Sequence, residues 1–176
     1  QCRLDLERTV ASLQAHLRGA KAAERDRAIE AVLRELGQSA GSDRCVLFQF
    51  MDGGQRFGIT HAWSAEGLRD GGMEGFDSLP TDAFPWWRDR MRAGELVHAA
   101  GLETMPTEAG AERYLLELRG TKAYMMAPVG FAKDGRGGSW YVRVREARPF
   151  GVADQDLLLE SCGGWAEFLV RGRGGL

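Results

Sequence analysis

The chain has 176 residues, which corresponds to one domain with room for a short appendage, since domains usually hold about 100 to 200 residues. Its net charge of −2, from 23 basic and 25 acidic residues, and the lack of a long apolar run argue against contacts with nucleic acid or membrane. The composition, 44% hydrophobic and 27% charged, is that of an ordinary globular protein. Glycine is the exception, with 24 residues, about twice the usual share of roughly 7%.

The three cysteines, at positions 2, 45 and 162, lie far apart and form no CxxC motif. This spacing predicts neither a disulfide framework nor a metal site, and it favours a reducing, cytoplasmic environment. The sequence begins at Gln1 without a methionine. We therefore expect a piece of a longer protein, with an output domain elsewhere in the same parent chain.

A long helix is predicted over the first 37 residues. Apolar residues within residues 1–24 recur at heptad spacing, which predicts a coiled-coil linker and a homodimer. The residues of this seam are Leu6, Val10, Leu13 and Leu17. A helix packed on its own domain is the alternative, because the seam spans only about two heptads. After residue 20 the apolar stripe changes phase, which predicts a second helix capped at its C-terminal end by Gly37.

The rest of the chain alternates between strand-like and helix-like segments. Predicted strands lie at 44–50, 57–63, 96–98, 123–129 and 139–145, and predicted helices at 84–92, 108–119 and 154–170. Asp82 is the predicted N-cap of the first of these helices. Residues 64–82 read as a long mobile loop. In the last strand Trp140 and Val142 should be buried, with Tyr141 and Arg143 on a polar face.

Two of the strand pairs read as hairpins, which indicates an α+β fold. We expect a central antiparallel sheet of five or six strands with helices on both faces and long N- and C-terminal helices. The domain should span residues 25–170, followed by a flexible tail at 171–176.

Several short motifs occur in the order found in one family. They are Arg44, His61-Ala62-Trp63, Pro85-Trp86-Trp87, Gly120-Thr121-Lys122, Ala127-Pro128-Val129 and the start of the last helix at Asp154. In this order they resemble the GAF domain, a sensory module of bacterial histidine kinases and diguanylate cyclases. The sequence departs from the family pattern at Ala62, Ala123 and Phe150. The PAS fold, another small sensory domain, is the structural alternative.

The resemblance implies a ligand pocket on the face of the sheet beneath loops. Aromatic and methionine side chains would form its walls, and His61, Tyr141 and Arg143 could orient a polar group. The candidates are Phe48, Phe50, His61, Trp63, Trp86, Trp87, Met91, Tyr114, Met125, Tyr141 and Arg143. Core packing is the alternative for each aromatic residue. Trp86 and Trp87 point about 100° apart on a helix, so one should belong to the core and the other to a cavity.

The ligand itself is not identified by the sequence. Bilin-binding relatives attach their chromophore through a cysteine near the helix that corresponds to 108–119, and this helix has none, so we expect that a covalent bilin is unlikely. Noncovalent haem or flavin remains open. The histidines are isolated from one another and the cysteines are not clustered, so we expect no catalytic or metal site.

These observations predict a noncatalytic regulatory sensor that binds an unknown small molecule and relays its occupancy through the terminal helices. The parent would be a histidine kinase or diguanylate cyclase in a two-component or related system. A ligand-free dimerising spacer is the first alternative, and a PAS-like sensor or a redox GAF enzyme is the second.

Overall fold

A six-stranded antiparallel sheet forms the centre of the protein. The computed structural model describes Arg8 and residues 22–68, 76–129 and 137–160. The strands are β1 (Arg44–Met51), β2 (Arg56–Ser64), β3 (Leu79–Pro80), β4 (Val97–Ala99), β5 (Ala123–Val129) and β6 (Gly137–Arg143). The helices are α1 (Ala22–Ser39), α2 (Pro85–Arg92) and α3 (Gly110–Leu118), and residues 152–160 form a further helix, α4. The predicted α+β fold is confirmed.

The strands lie in the order β3-β2-β1-β6-β5-β4, and every neighbouring pair is antiparallel. β1 and β2 form a hairpin whose turn is the 3-10 segment Asp52–Gly54. Gly53 and Gly54 have φ of +68° and +94°, in the left-handed region that glycine adopts at least cost. The order places β1 and β6 at the middle of the sheet.

Each face of the sheet packs against its own layer of helices. On one face, α1 and α4 contribute residues such as Leu33, Leu36 and Leu158 to a core that also contains Tyr141. On the other face, Trp87 of α2 and Leu116 of α3 pack in a second core. We call these the α1 face and the α2 face. Side chains alternate between the two along β1, β5 and β6, whereas in β2 a bulge opposite Leu47 and Phe48 switches the faces, so that Phe57 faces α2 and Trp63 faces α1.

Two sequence predictions about strands are corrected by this arrangement. The polar face predicted for β6 is wrong, because Tyr141 and Arg143 are 0% and 2% exposed beneath the helices of the α1 face. The predicted loop at 64–82 contains a strand, since Leu79 and Pro80 pair with Phe57 and Arg56 of β2.

Gly37 does not cap the C-terminal end of its helix. α1 continues to Ser39, and Gly37 lies inside it, where an added Cβ would be 2.4 Å from Cζ3 of Trp63. Gly37 therefore permits close packing of α1 on β2, and Gly41, with φ of +62°, follows the helix end instead. Gly94 and Gly120, with φ of +73° and +72°, follow α2 and α3 as predicted.

Some predictions fall outside the part of the chain that the structure describes. These are the heptad seam at Leu6, Val10, Leu13 and Leu17, the part of the last predicted helix at 161–170 and the tail at 171–176. The homodimer therefore stays a prediction. None of the helices in the described ranges combines the length and apolarity that crossing a bilayer requires.

Candidate functional site: an apolar cleft on the α2 face

A cleft opens on the α2 face between β1, β2, β5 and α2. Its volume is about 260 Å³, including the part that is open to solvent. Aromatic and methionine side chains form most of its walls, with one hydroxyl and one guanidinium among them. The lining residues are Phe48, Phe50, Phe57, Thr81, Phe84, Trp87, Arg88, Met91 and Met126. Such a composition suits a ligand with an extended apolar surface.

Alternation along β1 and helical spacing along α2 position the walls. Phe48 and Phe50 are two residues apart in β1, so both point to the α2 face. Trp87 and Met91 are four residues apart in α2 and are its buried residues. Phe84, just before α2, stacks on Trp87 with ring centroids 5.7 Å apart.

Glu112 of α3 fixes the first turn of α2. Its side chain is fully buried, and Oε2 accepts hydrogen bonds from the backbone N–H groups of Trp86 and Trp87 at 2.9 and 3.2 Å. A carboxylate at a helix N-terminus satisfies otherwise orphaned donors and is favoured by the helix dipole. Oε1 of Glu112 has no hydrogen-bond partner among the described residues. The position of α2, and so of the cleft wall, depends on this contact.

An aromatic cluster continues from the cleft to the middle of the sheet. The rings of Trp87 and Trp140 meet edge to face at 5.6 Å, and the indole N–H of Trp87 donates to the hydroxyl of Tyr124 at 3.3 Å. Burial raises the pKa of Tyr124, which keeps this phenol neutral. The indole N–H of Trp140 is buried and has no acceptor among the described residues.

Two polar side chains complete the lining. The hydroxyl of Thr81 is buried and has no partner among the described residues. Arg88 donates to Asp82 at 2.9 Å and to Asp89 at 3.1 Å. The prediction that Asp82 is the N-cap of α2 is wrong. That position belongs to Phe84, which makes no side-chain cap, and the cap comes from Glu112 instead.

The sheet separates the predicted pocket residues into two groups. Phe48, Phe50, Trp87 and Met91 line the cleft. On the α1 face, by contrast, lie His61, Trp63, Met125, Tyr141 and Arg143. The predicted single pocket is wrong in this respect, because it combines residues of different strands, and which face each strand turns to the cleft depends on the strand register.

Each histidine or arginine of the α1-face group has protein partners. Nε2 of His61 lies 2.8 Å from a carboxylate oxygen of Asp26, and Nδ1 lies 2.9 Å from the hydroxyl of Thr60. Arg143 donates to backbone carbonyls, including that of Ala40 at 2.8 Å. These side chains connect the sheet to α1 and are not available to a ligand in the cleft.

The two tryptophans of α2 have different environments. Trp87 is buried and lines the cleft, whereas Trp86 is partly buried with the guanidinium of Arg90 5.3 Å from its ring centre. The predicted division, with one tryptophan in the core and the other in a cavity, is not what the structure has, because Trp87 belongs both to the core of the α2 face and to the lining of the cleft. Tyr114 is 63% exposed on α3, so its prediction as a pocket residue is wrong.

Sequence reasoning missed five lining residues, which are Phe57, Thr81, Phe84, Arg88 and Met126. The alternation in β5 could have identified Met126, because Met125 and Met126 cannot both face one side. No local signal identifies Thr81, whose place depends on the pairing of β3 with β2.

No catalytic centre is apparent in the described ranges. They contain no group of three or more histidine, cysteine or acidic side chains that could hold a metal ion. Cys45 is fully buried on the α1 face.

No family model matches this chain, and no curated protein matches it. Solved structures do match in their fold. A phycocyanobilin-bound GAF domain from a cyanobacterial phytochrome aligns with a TM-score of 0.75 and 14% identity, covering 94% of both chains. A domain of a sensor histidine kinase protein from Sinorhizobium meliloti aligns with a TM-score of 0.64 and 17% identity, covering 89% of this chain and 97% of that one.

A longer structure matches as well. The chromophore-binding domain of a bacteriophytochrome from Stigmatella aurantiaca aligns with a TM-score of 0.71 and 14% identity over 96% of this chain. This chain spans 60% of the length of that structure.

These matches correct the prediction that a covalent bilin is unlikely, because structures with the same fold include bilin-bound and chromophore-binding domains. The prediction considered cysteines near one helix alone, whereas Cys2 and Cys162 lie outside the described residues.

Proposed function

We propose that this chain, which has the fold of a GAF domain, is a noncatalytic sensor domain of a signalling protein and binds a chromophore of the bilin class in the α2-face cleft. The observation that carries the proposal is the aromatic and methionine lining of that cleft. Bilins are extended conjugated molecules, and flat aromatic walls suit them. The bilin-bound and chromophore-binding structures of the same fold support this ligand class.

A ligand of this size must widen the cleft. The volume of about 260 Å³ counts all the space among the lining atoms together with open solvent, so the enclosed part of the cleft is far smaller than the roughly 300 to 1,000 Å³ of pockets for drug-sized ligands. Since Glu112 holds the first turn of α2, we expect the side chains of Phe84 and Trp87 to shift before that turn does. The hydroxyl of Thr81 and the guanidinium of Arg88 would then meet the polar groups of the ligand.

Covalent attachment would use a cysteine outside the described ranges. Cys45 is 0% exposed and belongs to the core of the α1 face, with the sheet between it and the cleft. A thioether to a ligand in the cleft would therefore form at Cys2 or Cys162. Substitution of Cys2 or Cys162 should therefore affect covalent attachment, whereas substitution of Cys45 should not.

Occupancy of the cleft would reach the terminal helices through β6. Trp140 belongs to the aromatic cluster of the α2 face, and Tyr141 and Arg143 of the same strand pack beneath α1 and α4. A ligand that moves Trp140 would displace these neighbours. The signal requires that the ligand bind one helix arrangement more tightly than the other.

The proposal is tested by adding biliverdin and phycocyanobilin, separately, to the purified protein. We expect a red-shifted, intensified absorption band with at least one of them and an increase in melting temperature. Pigment that stays on the chain in a denaturing gel would show covalent attachment, and either Cys2→Ser or Cys162→Ser should abolish it, with Cys45→Ser as the control that does not. No spectral change and no stabilisation with either bilin would overturn the proposal.

A ligand-free dimerising spacer is the second candidate, and the small volume of the cleft favours it. The dimer would form through Leu6, Val10, Leu13 and Leu17, whose seam the sequence predicts. Sedimentation of the full chain and of residues 25–176 tests this seam. An unchanged dimer after removal of residues 1–24 would eliminate the seam as its cause.

A further inference from the structure

Arg143 is a buried cation at the end of one of the two middle strands of the sheet. It stands at the end of β6 and is 2% exposed. Nη2 donates to the carbonyl of Ala40 at 2.8 Å, and Nη1 donates to the carbonyls of Arg148 and Pro149 at 2.9 and 3.3 Å. The guanidinium carbon lies 4.1 Å from the ring centre of Phe150. One side chain thus contacts two segments about a hundred residues apart in sequence.

These two segments are the ends of two helices. Ala40 directly follows α1, where carbonyl groups lack helical partners and carry the negative end of the helix dipole. Residues 148–150 directly precede α4, which begins at 152. The guanidinium therefore caps α1 with one nitrogen and holds the entry to α4 with another. The planar arginine fork holds two nitrogens in fixed positions for the two segments, whereas lysine offers one nitrogen on a flexible stem.

The charge of Arg143 is balanced by dipoles and by distant carboxylates. Burial, followed by the nearby charge of Arg148, lowers the pKa of Arg143, and Asp154, Glu146 and Asp43 act in the opposite direction. No carboxylate among the described residues is hydrogen-bonded to its guanidinium. Its position therefore depends on the three carbonyls, and moving either helix end removes some of its partners.

Asp43, near Arg143, makes a different connection. The carboxylate of Asp43 accepts the backbone N–H groups of Val144 and Arg145, which fixes the loop after α1 to the end of β6. The main alternative route between the helices is apolar packing, since Leu158 of α4 and Leu33 of α1 share one core. A test must separate Arg143 from this packing.

We infer that Arg143 is the positioning residue that couples the C-terminal end of α1 to the N-terminal end of α4. A change in the stability or position of one helix then alters the other. This inference concerns the helices alone and stands whether or not the cleft binds a chromophore. In a sensor, Arg143 would then link the movements of the two terminal helices.

The test is a coupling measurement by amide hydrogen exchange on the full chain. Glu30→Gly, at an exposed position of α1, weakens that helix without touching the core. We expect it to speed exchange at residues 150–156 by about threefold or more when Arg143 is present and to have no added effect when Arg143→Met is present. An equal increase in both backgrounds would overturn the inference and assign the coupling to packing.

Two further variants keep the test decisive. Arg143→Lys retains the charge and should fold even if Arg143→Met does not, yet it should lose most of the coupling because one nitrogen on a flexible stem replaces the two fixed nitrogens that contact the helix ends. Leu158→Ala weakens the packing route and should lower stability while the coupling persists. Coupling that survives Arg143→Lys but disappears in Leu158→Ala would contradict the assigned role.

Discussion

Glu112 and Trp87 belong to different helices, yet Oε2 of the glutamate accepts the backbone N–H of the tryptophan at 3.2 Å. The same oxygen accepts the preceding N–H, from Trp86, at 2.9 Å. α2 has no side-chain cap of its own, so α3 supplies the cap across the fold. Because Trp87 lines the cleft, this contact joins the stability of the domain to the shape of its site.

Replacing Glu112 by alanine should destabilise the protein. Two backbone N–H groups, one buried and one partly buried, lose their acceptor, and loss of such a cap costs about 1 to 2 kcal/mol of unfolding free energy. Urea denaturation measures the effect. Glu117→Ala is the matched control, because Glu117 lies on the same helix but forms only an exposed pair with Arg113 and should change stability by less than about 0.5 kcal/mol. Equal effects of the two substitutions would contradict the capping role.

Gly37→Ala should destabilise the protein, although alanine is normally the better helix residue. The new Cβ would lie 2.4 and 2.6 Å from two ring carbons of Trp63, and such overpacking costs about 1 to 3 kcal/mol. Gly110→Ala in α3 is the control, because no atom lies within 4 Å of its added Cβ, and it should stabilise by about 0.4 to 1 kcal/mol. Thermal unfolding would contradict this packing if both substitutions raised the melting temperature.

The same clash predicts a compensating pair. Trp63→Leu removes the ring atoms that the new methyl group meets, so the penalty of Gly37→Ala should shrink in that background. A double-mutant cycle measures this interaction. Strictly additive effects would show that the ring does not limit the approach of α1.

Tyr124 should make the stability of the protein depend on pH in the alkaline range. Burial raises its pKa above the ordinary value of about 10, so the unfolded chain loses this proton first. The contribution of the neutral Tyr124 phenol to the free energy of unfolding is fully present below about pH 10. Above that pH it is lost, by up to about 1.4 kcal/mol for each pH unit.

Tyr124→Phe should remove this part of the alkaline slope, although its stability at neutral pH should fall because the indole N–H of Trp87 loses its acceptor. Denaturation midpoints at pH 8, 10 and 11 compare the two proteins. Parallel curves for wild type and variant would mean that the phenol is not held neutral.

The sequence predicted most of the secondary structure because its signals were local. Gly94 and Gly120 mark helix ends, and alternation of apolar residues marks the long strands. β3 escaped detection because two residues carry no periodicity and their strand character comes from pairing with β2. Gly37 misled the prediction for a related reason, since its role depends on Trp63, which is distant in sequence.

The candidate site was predicted less well than the fold. The chemical character of its walls was visible in the sequence, but assigning residues to one face requires the register of each strand. Arg143 shows the limit most clearly. An arginine near the end of a strand predicts exposure, and only the arrangement of the two terminal helices provides the carbonyls that allow its burial.

The central claim is that the ligand binds on the α2 face of the sheet. Binding of biliverdin or phycocyanobilin to two matched variants tests this claim most directly. Phe50→Trp enlarges a side chain that lines the cleft, whereas Trp63→Phe changes an aromatic residue on the α1 face. For whichever bilin the wild type binds, we expect Phe50→Trp to weaken binding by about tenfold or more, equivalent to about 1.4 kcal/mol, and Trp63→Phe to leave the affinity within about twofold. Loss of affinity in Trp63→Phe with none in Phe50→Trp would contradict the account.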